Sequence, residues 1–218
     1  MSTRRLPVYV LLDTSGSMSG EPIQAVRSGI DMLLEALRSD PQALEAAWLS
    51  FITFDSSATQ VVPLTELEQI QAPSINAGGC TAMGEALSLV ADCINREVKK
   101  TDMKLEIKGD WKPMVVIMSD GQPNDDFERG LTAFKAIKTG TVICYAAGAD
   151  ADENLLKRIS EIVVKSDTAD ANSIQKFFQW VSASIAVTSQ KIDQTNKDSS
   201  ATTADDLPPP PPEINVCM

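Results

Sequence analysis

The chain has 218 residues, 43% of them hydrophobic and 22% charged, which suffices for one substantial core and is short for two. Its formal net charge is −11 and it contains no histidine, so it offers no basic footprint for nucleic acid or for an anionic membrane. The missing histidine also removes the usual general base near neutral pH and the usual transition-metal ligand; any bound metal should be a hard ion held by oxygen.

In chain order, Arg4-Arg5 precede an apolar run, Pro7 to Leu12, that is too short for a signal peptide and stops at Asp13 without a cleavage site. It reads instead as a central strand buried on both faces, followed by the polar loop Asp13 to Gly20. Glu21 to Leu37 carries Ile23, Val26, Ile30, Leu33, Leu34 and Leu37 at helical spacing. Ala46 to Phe54 and Ala58 to Leu64 read as strands joined through the turn Asp55-Ser56-Ser57, which predicts one antiparallel edge. Beyond the loop Asn76 to Cys80, Met83 to Val98 is helical by spacing, and Met114 to Met118 is another buried strand ending at Ser119-Asp120-Gly121.

Phe127 to Ile137 then reads as a helix, Thr141 to Ala147 as a strand, Glu153 to Ile159 as a helix and Ile162 to Val164 as a short strand. A last helix is expected over Ala171 to Val187, with Trp180 among its apolar positions. The alternation predicts an α/β fold, a doubly wound and mostly parallel sheet with helices on both faces. From Ser189 the composition turns polar and then runs through Pro208 to Pro212, so the expected organisation is one domain over 1–188 and a disordered Pro-rich acidic tail over 189–218. That tail is read first as a solubilising end and second as a proline-helix ligand for an SH3-like module. Cys80, Cys93, Cys144 and Cys217 form no close pair, and no stretch reaches the roughly 20 apolar residues of a membrane span; a reducing cytoplasm is the simplest home.

Ligands of open parallel sheets bind at the carboxyl ends of the strands, where several loops can converge. Three loops here carry oxygen-bearing residues: Asp13-Thr14-Ser15-Gly16-Ser17, Gly79-Cys80-Thr81 and Ser119-Asp120-Gly121. Together they present two carboxylates and three hydroxyls as candidate metal ligands, Asp13, Ser15, Ser17, Thr81 and Asp120. Such a set suits Mg²⁺, with Mn²⁺ or Ca²⁺ as alternatives, because Mg²⁺ takes octahedral oxygen coordination and retains positions for water or an incoming ligand.

Asp13-x-Ser15-x-Ser17 after a hydrophobic strand, followed by Thr81 and Asp120, resembles the metal-ion-dependent adhesion site of von Willebrand factor A domains, over roughly residues 6–188. The resemblance implies a Rossmann-like fold, direct ligation through Ser15, Ser17 and Thr81, and ligation through Asp13 and Asp120 directly or by way of water. It implies a protein partner that supplies an acidic ligand to the metal, and no catalysis. The run Leu11 to Met18 is further similar to bacterial single-domain members of the tellurite-resistance type, TerY. That resemblance implies a stress-response setting with a Ser/Thr kinase and a PP2C-like phosphatase, in which the chain is a scaffold or phosphoacceptor.

Blander readings stand beside these. Asp13-x-Ser15-x-Ser17 can be a turn and cap, and Thr81 can cap the following helix. Asp125 and Asp126 read as an acidic first turn of the next helix and not as ligands. Cys80, with no histidine to activate it, reads as a space-filling residue. A phosphohydrolase of the haloacid-dehalogenase type also begins with a strand ending in aspartate, but it needs an acid two residues on, where this chain has Ser15. No Gly-x-x-x-x-Gly-Lys-Ser/Thr run is present to cradle a nucleotide.

Overall fold

The computed structural model describes residues 4–102, 108–149, 151–195 and 207–217, with the backbone alone for 191–195. Strand β1, Leu6–Asp13, is buried at every position and sits in the middle of the sheet. A short 3₁₀ turn at Gly16–Met18 leads into helix α1, Glu21–Arg38. Helix α2, Pro41–Ala46, was not expected from apolar spacing. Its signal is local, since the Asp40 carboxylate accepts the Ala43 N–H at 2.8 Å and Pro41 occupies the first helical position.

The remaining elements are β2, Ala47–Phe54; β3, Ala58–Glu66; α3, Met83–Glu97; β4, Met114–Ser119; and α4, Phe127–Lys135. They continue with β5, Val142–Ala147; α5, Glu153–Lys157; β6, Ile162–Ser166; α6, Ala171–Thr195; and β7, Asn215–Val216. The seven strands lie in the order β3-β2-β1-β4-β5-β6-β7. Pairings among β2, β1, β4, β5 and β6 are parallel, while β3 and β7 are antiparallel edges.

Strand alternation splits the core into two layers. Val8, Val10 and Leu12 of β1 point with Val116 and Tyr145 toward α1 and α6; Tyr9 and Leu11 point with Ile117 and Cys144 toward α3 and α4. Helices α3 and α4 approach so closely that a Cβ on Gly130 would lie 2.1 Å from the Gly84 carbonyl oxygen, which only two facing glycines permit. From β1 the chain winds outward through β2 to β3, crosses back to β4, and winds the other way through β5 and β6. The reversal therefore falls between β1 and β4, and the crevice it opens lies at their carboxyl ends, Asp13 and Ser119.

The tail departs from expectation on both sides of residues 196–206, which lie outside the described residues. Helix α6 passes through the expected boundary because Thr188 and Ser189 turn their hydroxyls onto the Ser184 and Ile185 carbonyls at 2.8 and 2.9 Å. A polar side chain satisfied by its own helix does not end it. Beyond the gap, Leu207 and Ile214 are buried in the α6 layer, and β7 pairs with β6. The structure places 189–195 in α6 and 207–217 against the sheet: an open sheet edge can accept an extended segment that composition alone marks as unable to fold.

Candidate metal centre

The site starts from the last residue of β1. Asp13 is fully buried at the switch point, and its two carboxylate oxygens have separate partners. Oδ1 accepts the Ser15 N–H at 2.9 Å, which bends the loop back over the strand end. Oδ2 accepts the hydroxyl of Ser119, the last residue of β4, at 2.6 Å, which ties the two central strands together where they diverge. Burial pushes the Asp13 carboxyl above its ordinary range, against the opposing pull of the Ser119 hydroxyl and of the Ser15 hydroxyl and amide. A cation at the site would reverse that balance.

From Ser15 a chain of oxygens runs outward. Its Oγ lies 2.9 Å from Ser17 Oγ, and Ser17 Oγ donates to Asp120 Oδ1, also at 2.9 Å. Asp120 enters from the loop after β4, so the contact joins residues 103 apart in sequence. The structure thus brings Asp13, Ser15, Ser17 and Asp120 into one connected set.

Thr81 enters from the third loop. It is buried, and its Oγ1 would be 3.5 Å from a Cβ placed on Gly121, beside Asp120. Its position is held by the backbone: Thr81 N–H donates to Asn124 Oδ1 at 2.9 Å, and Asn124 N–H donates to the Thr81 carbonyl at 3.0 Å. The loop before it is fastened to the first loop through Gly16 N–H to Gly79 O at 3.1 Å and Gly78 N–H to Thr14 O at 2.8 Å. Gly79 has φ 74°, and a Cβ there would fall 2.4 Å from Ser56 Oγ, so this crossing requires glycine twice over, by conformation and by space.

The donor set fits a small hard cation. Octahedral coordination at about 2.05 Å places neighbouring ligand oxygens about 2.9 Å apart. The Ser15–Ser17 and Ser17–Asp120 separations of 2.9 Å are hydrogen-bond distances that also accommodate such an octahedral edge. Among the described residues no group of three or more Cys, Asp or Glu could hold a metal, so a cation here would rest on hydroxyls as much as on carboxylates. Two carboxylates and neutral hydroxyls leave a bound divalent ion with little of its charge in excess and room to accept another anionic oxygen.

The two acidic residues set aside as non-ligands have structural partners, and one is not the partner expected. Asp126 caps α4 by accepting Arg129 N–H at 3.1 Å. Asp125 instead caps α3, accepting Gly84 N–H at 3.0 Å and Glu85 N–H at 2.7 Å. Sequence reasoning missed that role, and it missed Ser119 and Asn124 as residues that position Asp13 and Thr81. The Asn124–Asp125 pair stood next to the motif without a local signal of what it would meet. Cys80 is exposed beside Thr81, so it fills no interior space.

Residues 8–180 match the family model for the von Willebrand factor type A domain. Among solved structures, the chain is similar to a von Willebrand factor type A protein from Catenulispora acidiphila, with a TM-score of 0.62 and 16% identity, covering 84% of this chain and 43% of that one. It is similar to proximal thread matrix protein 1 from the mussel byssus with a zinc-occupied MIDAS motif, with a TM-score of 0.59 and 17% identity, covering 84% and 48%. A third likeness is to the pilus adhesin SpaC of Lactobacillus rhamnosus GG, with a TM-score of 0.67 and 15% identity, covering 86% and 31%. The chain spans less than half the length of each, and at these identities the likeness shows the fold. No curated protein sequence matches the chain.

Proposed function

The chain belongs to the von Willebrand factor type A domain family, and from that premise we propose that it is a divalent-metal-dependent protein-interaction module. The observation that carries this reading is the connected set Asp13–Ser15–Ser17–Asp120 at the switch point, which gathers two carboxylates and two hydroxyls from the loops after β1 and β4. A relative in fold with a zinc-occupied site of the same kind supports the choice of a metal over a purely structural turn. Magnesium is our choice among divalent ions because every candidate ligand is a hard oxygen.

Ser15, Ser17 and Thr81 would hold the ion through hydroxyls, with Asp13 and Asp120 supplying the negative charge. Bound there, the ion supplies an open coordination position able to take a carboxylate from a partner. The chain's own residues do the rest: Asp13 anchors the first loop to β4 through Ser119, Asn124 holds the Thr81 loop, and Gly16 and Gly79 bring two loops within one hydrogen bond. Because the protein is acidic, an acidic partner segment would be repelled from this face without the ion, so partner binding should vanish in chelator.

A phosphohydrolase would need a general acid at position 15. Ser15 has no such proton to give at neutral pH, and its hydroxyl is engaged with Ser17. The similarity of Leu11 to Met18 to the tellurite-resistance type makes a Ser/Thr kinase and a PP2C-like phosphatase the first partners to test, in a cytoplasmic stress response. Calorimetric titration of the stripped protein with Mg²⁺ and Mn²⁺, run beside Asp13→Ala, tests the site. One saturable event in the native chain and none in the folded variant supports it; equal binding in both removes Asp13 from the ligand set and the reading with it.

A further inference from the structure

We propose that Arg27 of α1, outside the ligand set, is a positioning residue of the metal centre: it seats the long segment between β3 and α3 so that Thr81 meets the first loop. The inference rests on the metal reading above and adds a residue to it.

Residues 67–82 join β3 to α3 without a helix or strand of their own. Such stretches beyond about 12 residues are uncommon in compact domains and usually serve function. Their main-chain groups need partners from elsewhere, and α1 supplies donors from two arginines. Arg38 Nε donates to the Leu67 carbonyl at 3.1 Å, and its Nη2 donates to the Ile70 carbonyl. Arg27 Nε donates to the Ile75 carbonyl at 2.9 Å, and its Nη2 donates to that carbonyl and, at 2.8 Å, to Asn76 Oδ1. The arginines stand about three helical turns apart, so both guanidinium groups leave α1 on one side and the segment runs along the helix in the opposite direction. Leu67, Ile70 and Ile75 bury their side chains in the layer that holds α1 and α6.

The two clamps differ in what lies beyond them. Arg38 grips the segment where it leaves β3, whose last residue is Glu66. Arg27 grips it just before Gly78 and Gly79, whose main chain makes both bonds to the first loop, Gly78 N–H to Thr14 O and Gly16 N–H to Gly79 O, and Thr81 follows. Helix α1 is itself the continuation of the first loop, which carries Ser15 and Ser17. Arg27 therefore ties the third loop to the helix into which the first loop leads, and the placement of Thr81 against Ser15 and Ser17 depends on that grip. An arginine fork suits the task, because two N–H groups on one carbonyl set direction as well as distance, whereas a lysine acts as a point charge.

The test titrates the stripped full-length chain with Mg²⁺ by calorimetry, as wild type, Arg27→Met and Arg38→Met. Arg27→Met is expected to keep the wild-type circular dichroism and bind Mg²⁺ roughly tenfold more weakly, while Arg38→Met binds as wild type does. The sign is diagnostic, because removing a positive charge would by itself strengthen a cation site. Arg27→Lys keeps the charge and loses the fork, so it should also bind more weakly than wild type, and it serves if Arg27→Met fails to fold. Hydrogen exchange in EDTA reads the same grip without metal: the Gly16 and Gly78 amides should exchange faster in Arg27→Met and at the wild-type rate in Arg38→Met. Equal Mg²⁺ affinity in wild type and Arg27→Met, or an equal loss in Arg27→Met and Arg38→Met, overturns the role of Arg27 and leaves the metal reading standing. A wild type that takes up no Mg²⁺ overturns that reading, and the role of Arg27 in this site with it.

Discussion

Asp13→Asn separates a metal ligand from a structural turn residue, because its effect on stability should be small without the metal and large with it. In chelator, wild type carries a buried carboxylate whose ordinary range is shifted upward by desolvation. A carboxyl raised on folding contributes stability below its unfolded value, near 3.8, that is lost as pH rises through the folded value. Burial of the Asp13 carboxyl therefore counts against folding more at pH 7 than in acid. Asparagine keeps an acceptor for Ser15 N–H, and its amide can face Ser119 Oγ, whose hydroxyl rotates to donate elsewhere, with the Gly121 carbonyl 3.4 Å away. Against this stand the second amide N–H and the Asp120 N–H that the carboxylate accepts, so in EDTA the variant should lie within about 1 kcal/mol of wild type. With Mg²⁺ at 100 times Kd, wild type gains about 2.7 kcal/mol, or about 5–10 °C in Tm for a domain of this size, and the variant gains almost nothing. Differential scanning calorimetry at pH 7 with Mg²⁺ and with EDTA measures both arms. An equal loss of Tm in the two buffers would refute the argument, since it would assign Asp13 to the turn alone.

Three further outcomes follow from the same geometry. Thr81→Val should leave the melting temperature in EDTA within about 1 °C, since the loop is held through the Thr81 backbone, while lowering Mg²⁺ affinity roughly tenfold; unchanged affinity by calorimetry would place Thr81 outside the ligand set. Asp125→Ala should cost about 1 kcal/mol by losing the cap on the Gly84 and Glu85 amides, with Mg²⁺ affinity retained; a lost metal site with intact stability would make it a ligand after all. Asp170, which caps α6 through Ser173 N–H and accepts from Thr168, is held below the usual carboxylate range by those bonds. Its contribution is present above the unfolded value and lost as pH falls through the folded one. Asp170→Ala should thus lower the urea midpoint at pH 7 by an amount corresponding to about 1 kcal/mol and have a smaller effect near pH 2.5; an equal loss at both would contradict the charge argument.

Much of the fold was legible along the chain because its signals are local. An all-apolar run such as Pro7 to Leu12, short and ending in a polar loop, reads as a strand covered on both faces, and a 3.6-residue period over Ile23 to Leu37 reads as a helix lying on one of them. The loop chemistry was local too: Asp13, Ser15 and Ser17 are near neighbours, and the structure links them by 2.9 Å contacts without help from elsewhere. What sequence could not supply was pairing at a distance. Asp120 meets Ser17 across 103 residues, Ser119 meets Asp13 across 106, and Asp125 caps a helix that starts 42 positions before it because α3 and α4 cross at two glycines. The C-terminal segment shows the limit most clearly. Its composition is that of a chain unable to bury enough apolar surface for a fold of its own, yet Leu207, Ile214 and the Pro208 carbonyl find a core layer, an open strand edge and Trp180 already built. Sequence determines what a segment can do with its own neighbours; only the assembled sheet determines which edges and pockets are left for it to fill.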